Sequence, residues 1–281
     1  MDPTAILSSA VVAAVVAGLF SWFRERQILD RKAEVDYRSN ARLRLYEAIG
    51  PLRLQLLFAA RDVVDRVAGH LSKAAPSGKG WNMDVRAYYV QSFVYRVLRP
   101  LAIGQLIQRQ MSVADFAVDR GALELLRFDD LANRMLTGDE IILGHPRADW
   151  GTQSDHLFRD NLRVAAGTLI VSEPGHGARI LDFAEFADTL RQEGVPPALA
   201  DLFSIFGRCK ASLLENPIFW LRLVGYGHAC NGLIASQGTD LGFRVRPYDG
   251  VAMLGQVDDE SIAGNAAGYA KAFDDVEREG L

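Results

Sequence analysis

The chain has 281 residues, of which 49% are hydrophobic and 23% charged, and these ordinary proportions exclude a long disordered protein. The net charge of −4 creates no overall field that would attract nucleic acid, so no nucleic-acid partner is expected. Two cysteines, Cys209 and Cys230, are too few for a disulfide framework and fit a reducing cytoplasm. Arginine supplies 26 of the 31 basic residues, a bias typical of GC-rich bacterial genomes.

The first predicted element is a transmembrane anchor over residues 1–23. Thr4 to Phe23 contains no charged residue, and about twenty residues of helix match the roughly 30 Å hydrocarbon core of a bilayer. Trp22 and Phe23 end the run, where aromatic side chains meet the membrane interface. A cleaved signal peptide and a buried core helix are the alternatives. The lack of a basic leading segment and of a clear cleavage site favours a retained anchor over a signal peptide.

A charged segment over residues 24–44 follows, and we expect it to continue the anchor as a helical stalk. Arg24 and Arg26 open a basic cluster behind the span, whereas the residues before the span include no Lys or Arg. The positive-inside rule then predicts a single-pass protein of the bacterial inner membrane, with the N-terminus outside and the C-terminal domain in the cytoplasm. Acidic residues alternate with the basic ones, which favours membrane topology and lipid attraction over a nucleic-acid role.

Small residues recur at every fourth position of the predicted span. One row consists of Ser9, Ala13 and Ala17, and the other of Ala10, Ala14 and Gly18. Such rows allow two helix backbones to approach closely in lipid, so the span is expected to self-associate. The alternative is that an alanine-rich span contains such rows by chance. The predicted partners are therefore the lipid bilayer and a second copy of the chain.

Residues 45–281 are predicted to form an all-helical cytoplasmic domain. The fold class is thus all-α, with one N-terminal transmembrane helix that continues into a stalk and a multi-helix domain. Apolar residues recur at spacings of three and four, as in helices that bury one face. Gly50 and Pro51 are expected to kink or restart the first of these helices. Residues 218–236 are apolar on nearly every side and are expected to lie deep in the domain.

Two further helices are predicted over residues 152–171 and 180–193, with a turn between them. The short runs 243–247 and 251–254 suggest a small β-hairpin near the C-terminus. The pattern leaves open whether the domain has one hydrophobic core or two.

The sequence contains no phosphate-binding loop, dinucleotide fingerprint, hydrolase motif or zinc motif, so no cofactor and no metal centre is predicted and an enzyme is not favoured. His156 and Asp160 are four residues apart, and on one helix they would share a face able to hold a metal or relay a proton. A solvated face of ion pairs is the simpler interpretation. His228 and Asn231 fit polar groups satisfied inside a core, with a catalytic role for His228 as the alternative.

Arg96 and Arg99 lie near Tyr89 in the second helical block. Guanidinium groups bind phosphates and stack on aromatic rings, so these residues are candidates for a pocket that binds a small anion such as a nucleotide. Structural arginines whose stems cover apolar surface explain the same pattern.

These features predict a membrane-anchored helical protein that acts as a scaffold, sensor or effector through self-assembly or partner binding. Bacterial defence and envelope stress are roles that suit such an architecture. Two alternatives remain at this point. One is a membrane-associated enzyme with a scattered His/Asp site, and the other is a receptor for a small anionic ligand.

Overall fold

The computed structural model describes residues 3–74, 81–112, 114–147, 156–173 and 177–279, and it describes side chains from residue 18 onward, except for residues 72–74. Helix accounts for 76% of the structure, so the prediction of an all-α fold is confirmed. The helices are α1 Pro3–Ala74, α2 Tyr88–Gln110, α3 Arg120–Thr137, α4 Arg159–Gly167, α5 Phe183–Glu193, α6 Ala200–Arg208, α7 Pro217–Gln237, α8 Gly250–Leu254, α9 Glu260–Gly264 and α10 Ala266–Glu279.

Helix α1 contains 72 residues and is about 108 Å long at the usual helical rise. Residues 19–40 are exposed throughout, and the first fully buried side chain is that of Leu45. The expected restart of the helix at Gly50 and Pro51 is wrong, because α1 passes through Pro51 without ending. The expected kink stays a prediction. Pro51 and Glu47 both face solvent, so water can satisfy the Glu47 carbonyl that lacks a helical donor.

The predicted membrane span covers Thr4 to Phe23, and the side chains of residues 4–17 lie outside the described part of the chain. Among the residues whose side chains are described, no helix has a stretch long and apolar enough to cross a bilayer. The described end of the span, from Gly18 to Phe23, belongs to the exposed part of α1.

Helix α7 is the central element of the domain and packs mainly against α1 and α3. Its side chains are buried on nearly every side, as the uniformly apolar sequence predicted. Asn216 caps the N-terminus by accepting a hydrogen bond from the Phe219 amide, and Pro217 occupies the first turn. The hydroxyl of Tyr226 donates to the Val97 carbonyl at 3.1 Å, which fastens α7 to α2. Buried side chains of the described residues form one connected hydrophobic core.

Glycine at position 227 allows the C-terminal segment to pack closely on α7. A Cβ atom at Gly227 would lie 2.7 Å from Cζ of Tyr248, well inside van der Waals contact. The Tyr248 hydroxyl donates to the Val224 carbonyl at 2.8 Å, one turn earlier on α7. The side chain of Tyr248 therefore fixes the irregular segment before α8 to the central helix α7.

A two-stranded hairpin lies where two helices were expected to begin and end. Strand β1, Ile170–Glu173, pairs antiparallel with β2, Gly177–Ile180. The predicted helix over 152–171 instead ends at Gly167, and the one over 180–193 begins at Phe183. The hairpin suggested for 243–247 and 251–254 is wrong, since the second run forms α8 and the first has no regular structure.

Candidate functional site

A pocket of about 270 Å³ lies between the C-terminal part of α1 and the N-terminal half of α2. It has an arginine from each helix, a histidine and two aromatic rings. Its lining residues are Asp65, Arg66, Gly69, His70, Trp81, Tyr89 and Arg96.

Helical spacing explains why these side chains meet. Arg66 and His70 are four residues apart on α1 and therefore share a face. Tyr89 and Arg96 are two turns apart on α2 and point to the same side of that helix. Trp81 precedes α2, and its backbone N–H donates to the Ala211 carbonyl at 2.6 Å. The Trp81 ring stacks on Tyr89 with 4.3 Å between centroids and 19° between planes.

The guanidinium of Arg66 lies over the pocket's aromatic wall. It is 5.1 Å from the centroid of the Tyr89 ring, and its Nη2 donates to Ser92 Oγ at 2.7 Å. Burial lowers the pKa of Arg66, and the positive charge of Arg96 lowers it further. The buried Nε–H of Arg66 and the buried Nε1–H of Trp81 have no hydrogen-bond partner among the described residues.

The pocket has an excess of positive charge. Within the described part of the chain, neither Arg66 nor Arg96 forms an ion pair with a carboxylate. The pocket's acidic residue, Asp65, is paired instead with Arg246 at 2.6 Å. Two guanidinium groups that repel each other and lack an acidic partner are the arrangement that an anion would stabilise.

His70 forms the floor of the pocket and is only 1% exposed. Its Nδ1 contacts the Tyr89 hydroxyl, and its Nε2 lies 3.0 Å from Ser212 Oγ. Burial, together with Arg66, lowers the pKa of His70 to about 4, so the ring is neutral at neutral pH. A neutral imidazole donates from one nitrogen and accepts at the other, and His70 thereby fixes the Tyr89 ring. Burial also raises the pKa of Tyr89, which keeps its hydroxyl protonated.

The structure places two of the three ligand residues predicted from the sequence at this pocket. Tyr89 and Arg96 line the pocket. Arg99 does not, because its Nη1 faces Asp62 Oδ2 at 3.5 Å. Sequence reasoning missed Arg66 and His70, although their spacing of four residues in a helical stripe was a usable signal.

His156 and Asp160 do not share a helical face, so that premise of the sequence interpretation is wrong. Helix α4 begins at Arg159, and His156 precedes it. His156 is buried, with Nδ1 3.4 Å from Nη2 of Arg222, whereas Asp160 is exposed. Burial, and then the charge of Arg222, lowers the pKa of His156 to about 4. Residues 156–158 are not helical, so a spacing of four does not place His156 and Asp160 on one face.

His228 is half-buried and faces α10. Its Nε2 lies 3.0 Å from Glu277 Oε2 and 3.3 Å from Asp274 Oδ1. The prediction of a core environment therefore holds for one side of His228, and the other side faces these two carboxylates. The two carboxylates that meet His228 were missed, because they lie nearly fifty residues away in the sequence.

The residues predicted for membrane and oligomer contacts lie at the free end of α1. Gly18, Trp22, Arg24 and Arg26 are exposed, and the side chain of Ala14 lies outside the described part. The guanidinium of Arg26 is 5.3 Å from the centroid of the Trp22 ring. Self-association through the small-residue rows stays a prediction.

Comparison of the chain with protein-family models, with curated proteins and with solved structures finds no match.

Proposed function

We propose that this chain is a membrane-anchored helical receptor whose pocket between α1 and α2 binds a small phosphate-bearing anion. The observation that carries the proposal is the convergence of Arg66 and Arg96 with no described carboxylate to pair them. Guanidinium groups bind phosphates through two parallel hydrogen bonds, which makes arginine the preferred residue for this chemistry.

The size of the pocket limits the ligand. Drug-sized molecules occupy pockets of about 300–1,000 Å³, and this pocket of about 270 Å³ is smaller. The stacked pair of Trp81 and Tyr89 adds an aromatic wall beside the arginines. A phosphate with one attached ring or short chain fits this combination of volume, charge and aromatic surface.

The continuity of α1 favours a sensor over an independent soluble binding protein. Arg66 and His70 belong to the same uninterrupted helix as the predicted anchor. About 43 residues separate Phe23 from Arg66, which corresponds to roughly 65 Å of helix. A change at the pocket therefore acts on the element that leads to the membrane.

Ligand binding is tested by thermal unfolding of the full chain in detergent with millimolar inorganic phosphate, AMP, ATP and cyclic AMP. At least one of them is expected to raise the melting temperature by several degrees, because a ligand at ten times its dissociation constant stabilises by about 1.4 kcal/mol. Arg96→Met is expected to weaken binding at least about tenfold, since hydrogen bonds to charged groups contribute about 1.5–3 kcal/mol.

Arg99→Met is the matched control, because Arg99 is on the same helix but pairs with Asp62 outside the pocket. This variant is expected to keep the ligand-dependent shift. The proposed pocket is contradicted if none of the four compounds shifts unfolding, or if Arg96→Met and Arg66→Met retain the full shift.

Attachment to the bilayer is supported by the exposed end of α1. Phe20, Trp22 and Phe23 are 69%, 51% and 57% exposed, although large aromatic side chains normally avoid water. The basic residues that follow favour the cytoplasmic side of a bacterial inner membrane for the domain. A bilayer around this end would remove these rings from water.

Charged residues in the predicted span are expected to release the protein from membranes. Val11→Arg combined with Val15→Arg should shift the chain from the membrane pellet to the supernatant, since each charge at the centre of a span costs about 2.5–3.5 kcal/mol. Gln27→Arg, in the exposed stalk, is the control and should stay in the pellet. Wild-type protein in the supernatant of lysed cells without detergent would refute the anchor.

A further inference from the structure

Three metal-ligating side chains meet where α7 packs against α10, away from the residues of the anion pocket. His228 comes from α7, and Asp274 and Glu277 come from α10. The Nε2 atom of His228 lies 3.0 Å from Glu277 Oε2 and 3.3 Å from Asp274 Oδ1. One potential ligand atom from each residue lies within 4.8 Å of the other two.

The two helices bring these groups together through their regular spacing. Asp274 and Glu277 are three residues apart and therefore share a face of α10. On α7, Gly232 lies one turn after His228, and a Cβ there would be 2.6 Å from Glu277 Oε1. Glycine at this position thus gives the Glu277 carboxylate room against α7. The ring of Phe273 lies 6.0 Å from that of His228 and limits one side of the cluster.

The charge around the cluster favours a cation. Two carboxylates face one imidazole, and two nearby arginines, one on α10 and one on α3, have other acidic partners. Arg278 pairs with Asp275, and Arg134 pairs with Glu279. Arg127 lines the same cleft as Glu277 but forms no ion pair within the described part of the chain. The carboxylates of Asp274 and Glu277 therefore have His228 as their described ionic partner.

We propose that His228, Asp274 and Glu277 bind a divalent transition-metal ion of the zinc type. Zinc binds imidazole nitrogen and carboxylate oxygen at about 2.0–2.2 Å, and tetrahedral geometry separates neighbouring donor atoms by about 3.3–3.6 Å. The separation of 3.3 Å between His228 Nε2 and Asp274 Oδ1 falls in this range, and the 3.0 Å to Glu277 Oε2 is slightly shorter. The imidazole ligand favours a transition metal over magnesium or calcium, which prefer oxygen.

The number of protein ligands also indicates that the bound ion would be accessible to water. Three protein ligands leave at least one coordination position for water or another ligand, as in zinc sites that are not purely structural. Glu277 lines a cleft of about 190 Å³ formed by α3, α7 and α10. The ion would therefore lie beside a cleft and not within closed protein.

Zinc binding by the untagged full chain in detergent, measured by isothermal titration calorimetry after chelator treatment, tests the proposal. One zinc ion is expected to bind per chain. His228→Ala should abolish this binding. Asp274→Asn and Glu277→Gln should each weaken it at least about tenfold, because loss of even an outer-shell partner typically costs 10- to 100-fold in metal affinity.

Asp275→Asn is the matched control, since Asp275 is adjacent on α10 but pairs with Arg278. It should bind zinc as the wild type does, and so should Arg66→Met in the anion pocket. Circular dichroism of each variant establishes that it is folded. If His228 only forms ion pairs with the two carboxylates, the wild type will show no zinc binding even at about 100 micromolar zinc, a concentration at which weak metal sites are still occupied. That result, or full zinc binding by His228→Ala, overturns the proposal.

Discussion

Replacing Trp220 by alanine is expected to lower the free energy of unfolding by about 3–5 kcal/mol, the usual effect of removing a large buried aromatic side chain. Trp220 lies on α7 with no exposed surface, and its ring centroid is 5.3 Å from that of His70. Its Nε1–H donates to the Met253 carbonyl at 3.2 Å, so truncation also leaves a buried acceptor unpaired. Urea unfolding, followed by the helical circular dichroism signal at about 222 nm, measures the change.

Trp220→Phe separates packing from hydrogen bonding. Phenylalanine keeps most of the ring volume but cannot donate to Met253, so a smaller loss of about 1–3 kcal/mol is expected. Trp22→Ala, at the exposed end of α1, should change stability by less than about 0.5 kcal/mol. A loss below about 1 kcal/mol for Trp220→Ala would mean that α7 is not the centre of the core.

Replacing Asp129 by asparagine is expected to stabilise the protein at pH 7 by as much as about 3 kcal/mol. Asp129 on α3 is 3% exposed, and its Oδ2 accepts a hydrogen bond from Gln108 Nε2 at 2.6 Å. Burial raises the pKa of this carboxyl to about 6, against the opposing charges of Arg163 and Arg159. Asparagine keeps a hydrogen-bond acceptor for Gln108 and introduces no buried charge.

The sign of the pH dependence follows from that raised pKa. The protonated carboxyl contributes stability that is fully present below pH 3.8 and is lost as the pH rises through about 6. The advantage of Asp129→Asn over the wild type should therefore be absent near pH 4 and largest at pH 7. Urea unfolding of both proteins at these two values measures it, and the titrations of His70 and His156 cancel in the difference.

Asp130→Asn is the matched control for this experiment. Asp130 is the next residue, is half-exposed and pairs with Arg159 at 2.6 Å. Its replacement should change stability at pH 7 by less than about 1 kcal/mol. An Asp129→Asn variant that is less stable than the wild type at pH 7 would show that the native carboxylate is favourably paired.

The local pattern of apolar residues predicted those helices whose burial is uniform along their length. The apolar run of α7 lies at the centre of the domain because a helix that is apolar on every side has no stable position at the surface. Boundaries were less certain where local preference competed with the fold. Pro51 lies within α1 because its ring faces solvent, and Ile170 and Ile180 pair as strands, as β-branched residues favour.

Which residues meet at each candidate site depended more on their distance in space than on their spacing in the sequence. Tyr89 and Arg96 were proposed together because arginine near tyrosine on one helix suggests anion chemistry, and both line the pocket. Arg99 was proposed with them, but only the packing of α1 shows that it meets Asp62. His228 was noticed, but its carboxylate partners belong to a helix that only the packing of α10 on α7 brings near.

The sequence by itself determined the helical class, the buried central helix and the uncharged run near the N-terminus, because periodicity and hydrophobicity are properties of neighbouring residues. The tertiary structure alone decided which charged side chains meet. It placed Arg66 and Arg96 at one pocket whose acidic residue, Asp65, pairs with Arg246, and it placed Asp274 and Glu277 beside His228. The physical reason is that electrostatic interactions depend on distance and burial, and the packing of separate helices fixes both.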